Sequence, residues 1–293
     1  MRQLYRVSRN AAAGLFLALA ASAEVSGDEK PYFVTYDHHM EEPRAMEFAF
    51  SPLIGFPKGA DQFYSGLFEV GYGLNGWWTT EVYLAHQYTW GQEGAFTGVH
   101  WENRFRPFQS ELWINPVLYV EYAHTNEADR SFKEVVGHSD PEELKEPVSE
   151  LKQEIENELE LKLILSRDHK GWNLAGNFIA EKNLSNHPWE FGYAAGFSRP
   201  LALAVSPNPC RLCLENFRAG VEFYGGLGDA HAFGFGDTSQ YLAPVLLWRF
   251  TDSTSLCLSP TFGITDGSIP FMMRFGILYE IGNFPGQLRS LVR

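Results

Sequence analysis

Beyond its N-terminal leader, the chain has no run long and apolar enough to cross a bilayer as a helix, which excludes a helical membrane protein. Basic residues are in short supply: 23 Lys and Arg stand against 36 Asp and Glu, for a net charge of −13. A chain of that sign lacks the basic surface that nucleic acid requires. Cysteine is scarce, with three in 293 residues. Cys210 and Cys213 form one C-x-x-C with no second pair and no thioredoxin-like pattern around it, so a structural zinc site and a redox motif are disfavoured and a local disulfide is the leading reading. No G-x-S-x-G is present, which removes the usual signature of a serine hydrolase.

What the chain does have is alternation. From about Ala45 to Ile281, apolar and aromatic residues occupy every second position of short segments, and turn residues separate the segments. Ahead of this stands a leader: Arg2, Arg6 and Arg9, then the apolar run Ala11–Ala20, then Ala21-Ser22-Ala23. This predicts a signal peptide over 1–23, cut after Ala23. Cleavage removes three arginines and no acid, so the mature chain is more acidic still. Export followed by half-polar strands points to an all-β fold, an antiparallel transmembrane β-barrel. A closed barrel is the β structure that satisfies its backbone inside lipid. The 15% aromatic content suits girdles at the two membrane interfaces.

About twelve strands are predicted: Ala45–Ile54, Gln62–Tyr72, Trp77–Tyr88, Ala95–Phe105, Leu112–Thr125, Glu154–Arg167, Trp172–Asn183, Trp189–Arg199, Asn216–Gly225, Gln240–Phe250, Ser255–Ile264 and Phe271–Ile281. Residues 24–44 lack alternation and read as a periplasmic lead-in, or alternatively as a segment folded into the barrel mouth, with 282–293 as a C-terminal tail. If the first strand runs outward, the periplasmic turns are Gly73–Gly76, Arg106–Glu111, Asp168–Gly171, Pro200–Glu215 and Thr251–Thr254. Asn75-Gly76 is a tight-turn pair. The long Pro200–Glu215 stretch carries the C-x-x-C. The outside loops include Gly226–Ser239 and the acidic Asn126–Gln153. In the latter, Asp140-Pro141-Glu142-Glu143 opens a helix, and Leu144, Val148, Leu151 and Ile155 keep helical spacing. Pro147 interrupts it. The result is a short helix in one long outside loop, placed to fold over the mouth as a lid.

Strand phase assigns faces. Val99, Trp101 and Phe105 alternate with His100, Glu102 and Arg104; Leu159, Leu161, Leu163 and Leu165 alternate with Glu158, Glu160 and Lys162. A Lys or Arg facing lipid at mid-bilayer costs about 2–4 kcal/mol, so the charged set faces inward. The candidate lumen residues are Glu47, Glu69, Glu81, His100, Glu102, Arg104, Glu121, Glu158, Glu160, Lys162, Glu181, Glu190, Arg218, Glu222 and Arg274, with Glu280 beside them. Acids dominate this set. Two readings stay open. In one, a wet, acidic path passes cations or polar solutes. In the other, a Glu–Arg–Lys ladder plugs a narrow lumen.

Asp37-His38-His39 with Glu41 and Glu42 gathers ligand-type residues, but neighbouring histidines point apart in extended chain, and a solvated lead-in is preferred. No metal and no cofactor is expected. Gly225-Gly226-Leu227-Gly228 reads as a barrel loop and not a phosphate cradle.

From Ala45 to Ile281 the chain resembles small, roughly twelve-stranded Gram-negative outer-membrane barrels, a group of narrow solute channels that also includes an outer-membrane phospholipase. The phospholipase's His-Asp-Ser-Asn-Gly type run is absent, so no site residue is carried over. Such barrels usually end on an aromatic; here Tyr279-Glu280-Ile281 is followed by twelve further residues. The resemblance implies an outer-membrane location, with lipid and the barrel-assembly machinery as partners. The expected function is a non-enzymatic, porin-like channel for small hydrophilic solutes, mildly cation-favouring. The alternatives are a structural or surface-interaction barrel using the 126–153 loop, and a membrane-embedded hydrolase.

Overall fold

The computed structural model describes residues 30–130, 135–185, 187–208 and 210–291. The signal peptide expected over 1–23 lies outside them, as do 24–29 and the last two residues.

Twelve antiparallel strands form one closed barrel, each paired with its sequence neighbours. They are β1 (Met46–Phe56), β2 (Phe63–Asn75), β3 (Trp78–Thr89), β4 (Gly94–Phe105), β5 (Asn115–Asn126), β6 (Ile155–His169), β7 (Trp172–Asn183), β8 (Trp189–Pro200), β9 (Phe217–Asp229), β10 (Gln240–Thr251), β11 (Thr254–Gly263) and β12 (Phe271–Ile281). The β1–β12 ladder, running from Met46↔Ile281 to Phe56↔Phe271, closes the ring and leaves no edge strand. Helix α1 (Val148–Leu151) lies in the β5–β6 connection, and α2 (Phe284–Leu291) follows β12.

Alternation drives this arrangement. The outer face exposes Phe68, Leu84, Trp101, Leu118, Leu163 and Phe178, an apolar belt that lipid can cover and water cannot. Trp77, Trp113 and Trp172 ring the end at which β1 begins and β12 finishes, the terminal end. Tyr88, Trp90, Phe96 and Phe262 ring the far end, which gives two aromatic girdles. The far end carries the 28-residue 127–154 connection, while the terminal end has two-residue turns at 76–77, 170–171 and 252–253 beside the longer 106–114 and 201–216 connections. Long outside loops and short periplasmic turns are the pattern of bacterial outer-membrane barrels.

Several boundaries differ from the sequence reading for identifiable reasons. β5 starts at Asn115 rather than Leu112, because the Asn115 side chain accepts from the Leu112 N–H (2.8 Å) and holds 112–114 in a turn. β9 continues through the glycine-rich stretch to Asp229, so these glycines belong to a strand and not a loop. They clear space for the β5–β6 connection: a Cβ on Gly226 would lie 2.1 Å from the Gly137 carbonyl oxygen. Gly137 pairs with Gly228, and Val136 with Gly192, so this connection crosses the far mouth and bonds to β8 and β9. Pro147 splits its helix as the sequence implies. Asp140 Oδ1 accepts from the Glu142 N–H (3.0 Å) ahead of a single 3-10 turn at Glu143–Lys145, and α1 begins after the proline. Val148 and Leu151 are buried with Ala128.

The largest departure concerns the lead-in. Residues 30–44 do not hang outside the barrel: they fill its interior, further in than the mouth position that the sequence reading allowed. Tyr32, Val34, Asp37, His38 and Glu41 are buried there. The chain then turns into β1, with the Arg44 N–H on the Gly73 carbonyl (2.6 Å). The tail is also ordered against this turn, since the Phe284 N–H at the start of α2 donates to the Arg44 carbonyl (2.9 Å).

Candidate functional site

The barrel interior is the site, and the 30–44 segment is its central feature. The segment forms no strand, so its backbone groups must find partners among inward side chains. Glu222 on β9 supplies three at once. Its carboxylate accepts from the N–H groups of Phe33 (2.9 Å), Val34 (2.9 Å) and Thr35 (2.7 Å). Asn177 on β7 accepts from the Tyr36 N–H (2.7 Å) and donates to the Tyr36 carbonyl (2.8 Å). Thr79 on β3 accepts from the Glu41 N–H (3.2 Å). The apolar side chain of Val34 packs with Leu53 and Phe63 of the wall and with Val135 and Val136 of the lid.

Charge gathers on the β1–β4 wall. Lys30 Nζ lies 2.7 Å from Glu47 Oε1 and 2.7 Å from Glu69 Oε1, and 3.3 Å from Glu81. Arg104 pairs with Glu81 and with Glu102 (2.9 Å), and the Tyr36 hydroxyl donates to Glu102 (2.9 Å). Glu41, Glu47, Glu69, Glu81 and Glu102 thus meet Lys30 and Arg104, an acidic cluster stitched by two cations.

The fifteen charged residues singled out from the sequence all point inward, but they do not form one ring. Glu47, Glu69, Glu81, Glu102 and Arg104 make the cluster above. Glu121, Glu158, Glu160, Lys162, Glu181 and His100 border a separate cavity of about 60 Å³. There Lys162 pairs with Glu160 (2.9 Å) and lies 4.2 Å from the Tyr119 ring centroid, while His100 pairs with Glu121 (2.8 Å). Arg274 borders a cavity of about 110 Å³ next to the segment. Glu190 lines the far mouth, a cavity of about 500 Å³, and Arg218 the terminal mouth, about 490 Å³. Glu222 stands apart under the segment backbone, and Glu280 is buried near the β1–β12 seam.

Sequence reasoning set Asn173 and Asn177 on the polar face of their strand without giving them a role, and it missed Ser166 on the wall and Lys30 and Tyr36 of the segment itself, whose contacts have no periodicity. It noticed Asp37-His38-His39 but placed the group in solvent. These residues lie at the terminal mouth. His39 Nδ1 is 3.0 Å from Asp37 Oδ2, and His39 Nε2 is 3.1 Å from Asp168 Oδ2. His38 Nδ1 is 2.5 Å from Ser166 Oγ, and His38 Nε2 is 3.3 Å from Glu111 Oε2. Burial pushes the Asp37 carboxyl up, but its hydrogen bonds with His39 outweigh this and hold it below its usual range. For Glu111, slight burial is likewise outweighed by the Arg106 hydrogen bond and by His38. Ser166, His38 and Glu111 do not make a hydrolase triad. Serine meets the imidazole at Nδ1 and the acid meets it at Nε2, the reverse of the catalytic order, and Ser166 is buried. Cys210 and Cys213 are disulfide-bonded in the 201–216 connection at the same end.

No protein-family model matches the chain, and no curated protein matches it. Among solved structures it is similar to the KdgM porin in complex with disordered oligogalacturonate (TM-score 0.47, 5% identity, 80% of this chain and 98% of that one). It is similar to the NanC porin (TM-score 0.46, 10% identity, 78% and 97%) and to LpxR from Salmonella typhimurium (TM-score 0.41, 11% identity, 80% and 99%). These are all barrels, as this chain is. At such identities and scores, what each of them passes or acts upon remains a property of that protein.

Proposed function

We propose that this protein is an outer-membrane channel for small hydrophilic solutes, held closed by its own 30–44 segment. The observation that carries the reading is the way the segment is held. It is not a strand of the sheet. Its backbone and charged groups are held by inward polar side chains, namely Glu222, Asn177, Thr79, Glu102 and the Lys30 carboxylate cluster, while Tyr32, Phe33, Val34, Tyr36 and Met40 also pack on apolar residues. Water entering an open lumen can satisfy the polar partners once the segment leaves, so its withdrawal forfeits chiefly the apolar packing. With the segment withdrawn, the wall presents Glu47, Glu69, Glu81, Glu102, Glu121, Glu158, Glu160, Glu181 and Glu222 against Arg104, Lys162, Arg218 and Arg274. Such an acidic wall favours cations and polar neutral solutes.

The filled interior supports a second reading, a barrel that transports nothing and presents its 127–154 lid as a contact surface. Planar-bilayer conductance under a salt gradient separates the two. The full mature chain is expected to be silent or to open briefly. A variant lacking residues 30–43, shown to be folded by heat-modifiable migration, is expected to conduct in discrete cation-favouring steps. A folded but silent deletion variant would rule out the channel and leave the structural reading.

A further inference from the structure

We propose that His38 and His39 of the interior segment, with Asp168 of β6 and Glu111 of the β4–β5 connection, form a binding site for a divalent transition-metal ion of the zinc type. The proposal is independent of whether the barrel conducts.

Three observations carry it. The first is donor spacing. His38, His39 and Asp168 each bring one potential ligand atom within 4.8 Å of the others, whereas Glu111 stands outside that group, beside His38 Nε2, and would have to swing in as the fourth ligand. His39 Nε2 and Asp168 are 3.1 Å apart, and His38 Nε2 and Glu111 are 3.3 Å apart. Zinc bonds of about 2.0–2.2 Å in a tetrahedron set ligand atoms roughly 3.3–3.6 Å from one another. The two carboxylate side chains are 47% and 65% exposed, which leaves them room to close around an ion.

The second is the support behind the imidazoles. Each ring has Nδ1 already engaged, His39 by Asp37 and His38 by Ser166, so each turns Nε2 toward a carboxylate. A ligating histidine commonly gives its other nitrogen to a carboxylate or similar acceptor, which fixes tautomer and ring orientation. Asn173 donates to Asp37 Oδ2 (2.9 Å) and to Asp168 Oδ1 (2.9 Å), tying one ligand to the support of another. The imidazole rings stack at 4.4 Å between centroids, so the backbone bend at 37–39 has already overcome the divergence of neighbouring histidines.

The third is access. Asp37, His39 and Asp168 border the roughly 490 Å³ cavity at the terminal mouth, so an ion can reach the site from that side without crossing the barrel. Two imidazoles and two carboxylates suit zinc and its neighbours better than calcium or magnesium, which prefer oxygen alone.

The test uses the untagged mature chain, refolded in detergent, stripped with chelator and titrated with zinc by calorimetry. Metal content is measured after desalting. One zinc per chain is expected. His39→Ala and Asp168→Asn should each weaken binding at least about tenfold, and Ser166→Ala, which removes the partner of His38 Nδ1, by about 10–100-fold. Cobalt in place of zinc should give tetrahedral visible absorption that His38→Gln abolishes. Glu111→Gln changes a residue of the connection and not the wall, so it tests the fourth ligand in a barrel whose heat-modifiable migration is unaltered. Failure of the wild-type chain to retain zinc overturns the site. So does equal retention by folded His39→Ala and Asp168→Asn, which would place the metal elsewhere.

Discussion

The side-chain amide of Asn177 pairs with the backbone of Tyr36 as a neighbouring strand would, accepting from its N–H at 2.7 Å and donating to its carbonyl at 2.8 Å. A single residue of the wall thus imitates a rung of β-ladder for a segment that has none.

Asn177→Ala removes both bonds at once. Leaving a buried backbone donor and acceptor unpaired costs about 1–3 kcal/mol each, less whatever water recovers. Hydrogen exchange at the Tyr36 amide should accelerate by about tenfold or more, since tenfold corresponds to about 1.4 kcal/mol. The β7 amides, held by their own ladders, should keep their protection. Unchanged exchange at Tyr36 would mean that other contacts hold the segment.

Glu222→Gln should loosen residues 33–35 more than Asn177→Ala loosens residue 36. The carboxylate accepts three backbone N–H groups, and hydrogen bonds to a charged group are worth about 1.5–3 kcal/mol each. Glutamine keeps one acceptor oxygen and turns an NH₂ toward donors. Limited proteolysis of the segment in the folded barrel reads this out. Cleavage at the wild-type rate would remove Glu222 as an anchor.

Lys30→Gln leaves Glu47, Glu69, Glu81 and Glu41 facing one another without their shared cation. Removing one partner from a buried ion pair costs about 3–5 kcal/mol. Lys30 is 24% exposed, so the loss should fall at or below the lower end. The urea midpoint for unfolding should drop, and the drop should shrink at high salt as the carboxylates are screened. A midpoint insensitive to both changes would show that Lys30 does not hold the cluster.

Trp101→Arg tests the lipid-facing phase. Trp101 is 54% exposed on the outer face between the inward residues His100 and Glu102. A mid-bilayer arginine costs about 2–4 kcal/mol, so folding into vesicles should slow and its yield fall, whereas Trp101→Phe should fold normally. Equal yields for both variants would contradict a membrane-embedded position for this residue.

The barrel was legible in the sequence because its two solvents differ. Lipid outside and polar groups inside impose a period of two, and Leu159 to Leu165 against Glu158 to Lys162 displays it plainly. Pro147 announced its break for an equally local reason. Of the interior segment, only its lack of alternation and a possible place in the mouth were legible. Its partners, Glu222, Asn177, Glu102 and Thr79, sit on four strands far apart in sequence, and each contributes a contact with no period. Gly225 to Gly228 misled for a related reason. Glycine read locally means a turn, whereas here it makes room for a neighbouring backbone.

The location of the segment also bears on how the molecule is built. Residues 30–44 precede β1 directly, and β1 is one side of the seam that β12 closes. A chain made from its N-terminus acquires the other side of that seam last. The segment is therefore tethered to one lip of the sheet until β12 closes the seam, and it must be gathered in as the lips meet or else thread an already closed ring through its terminal mouth. Ring closure and internal docking are coupled steps, and a cylinder without the segment has one step fewer to complete.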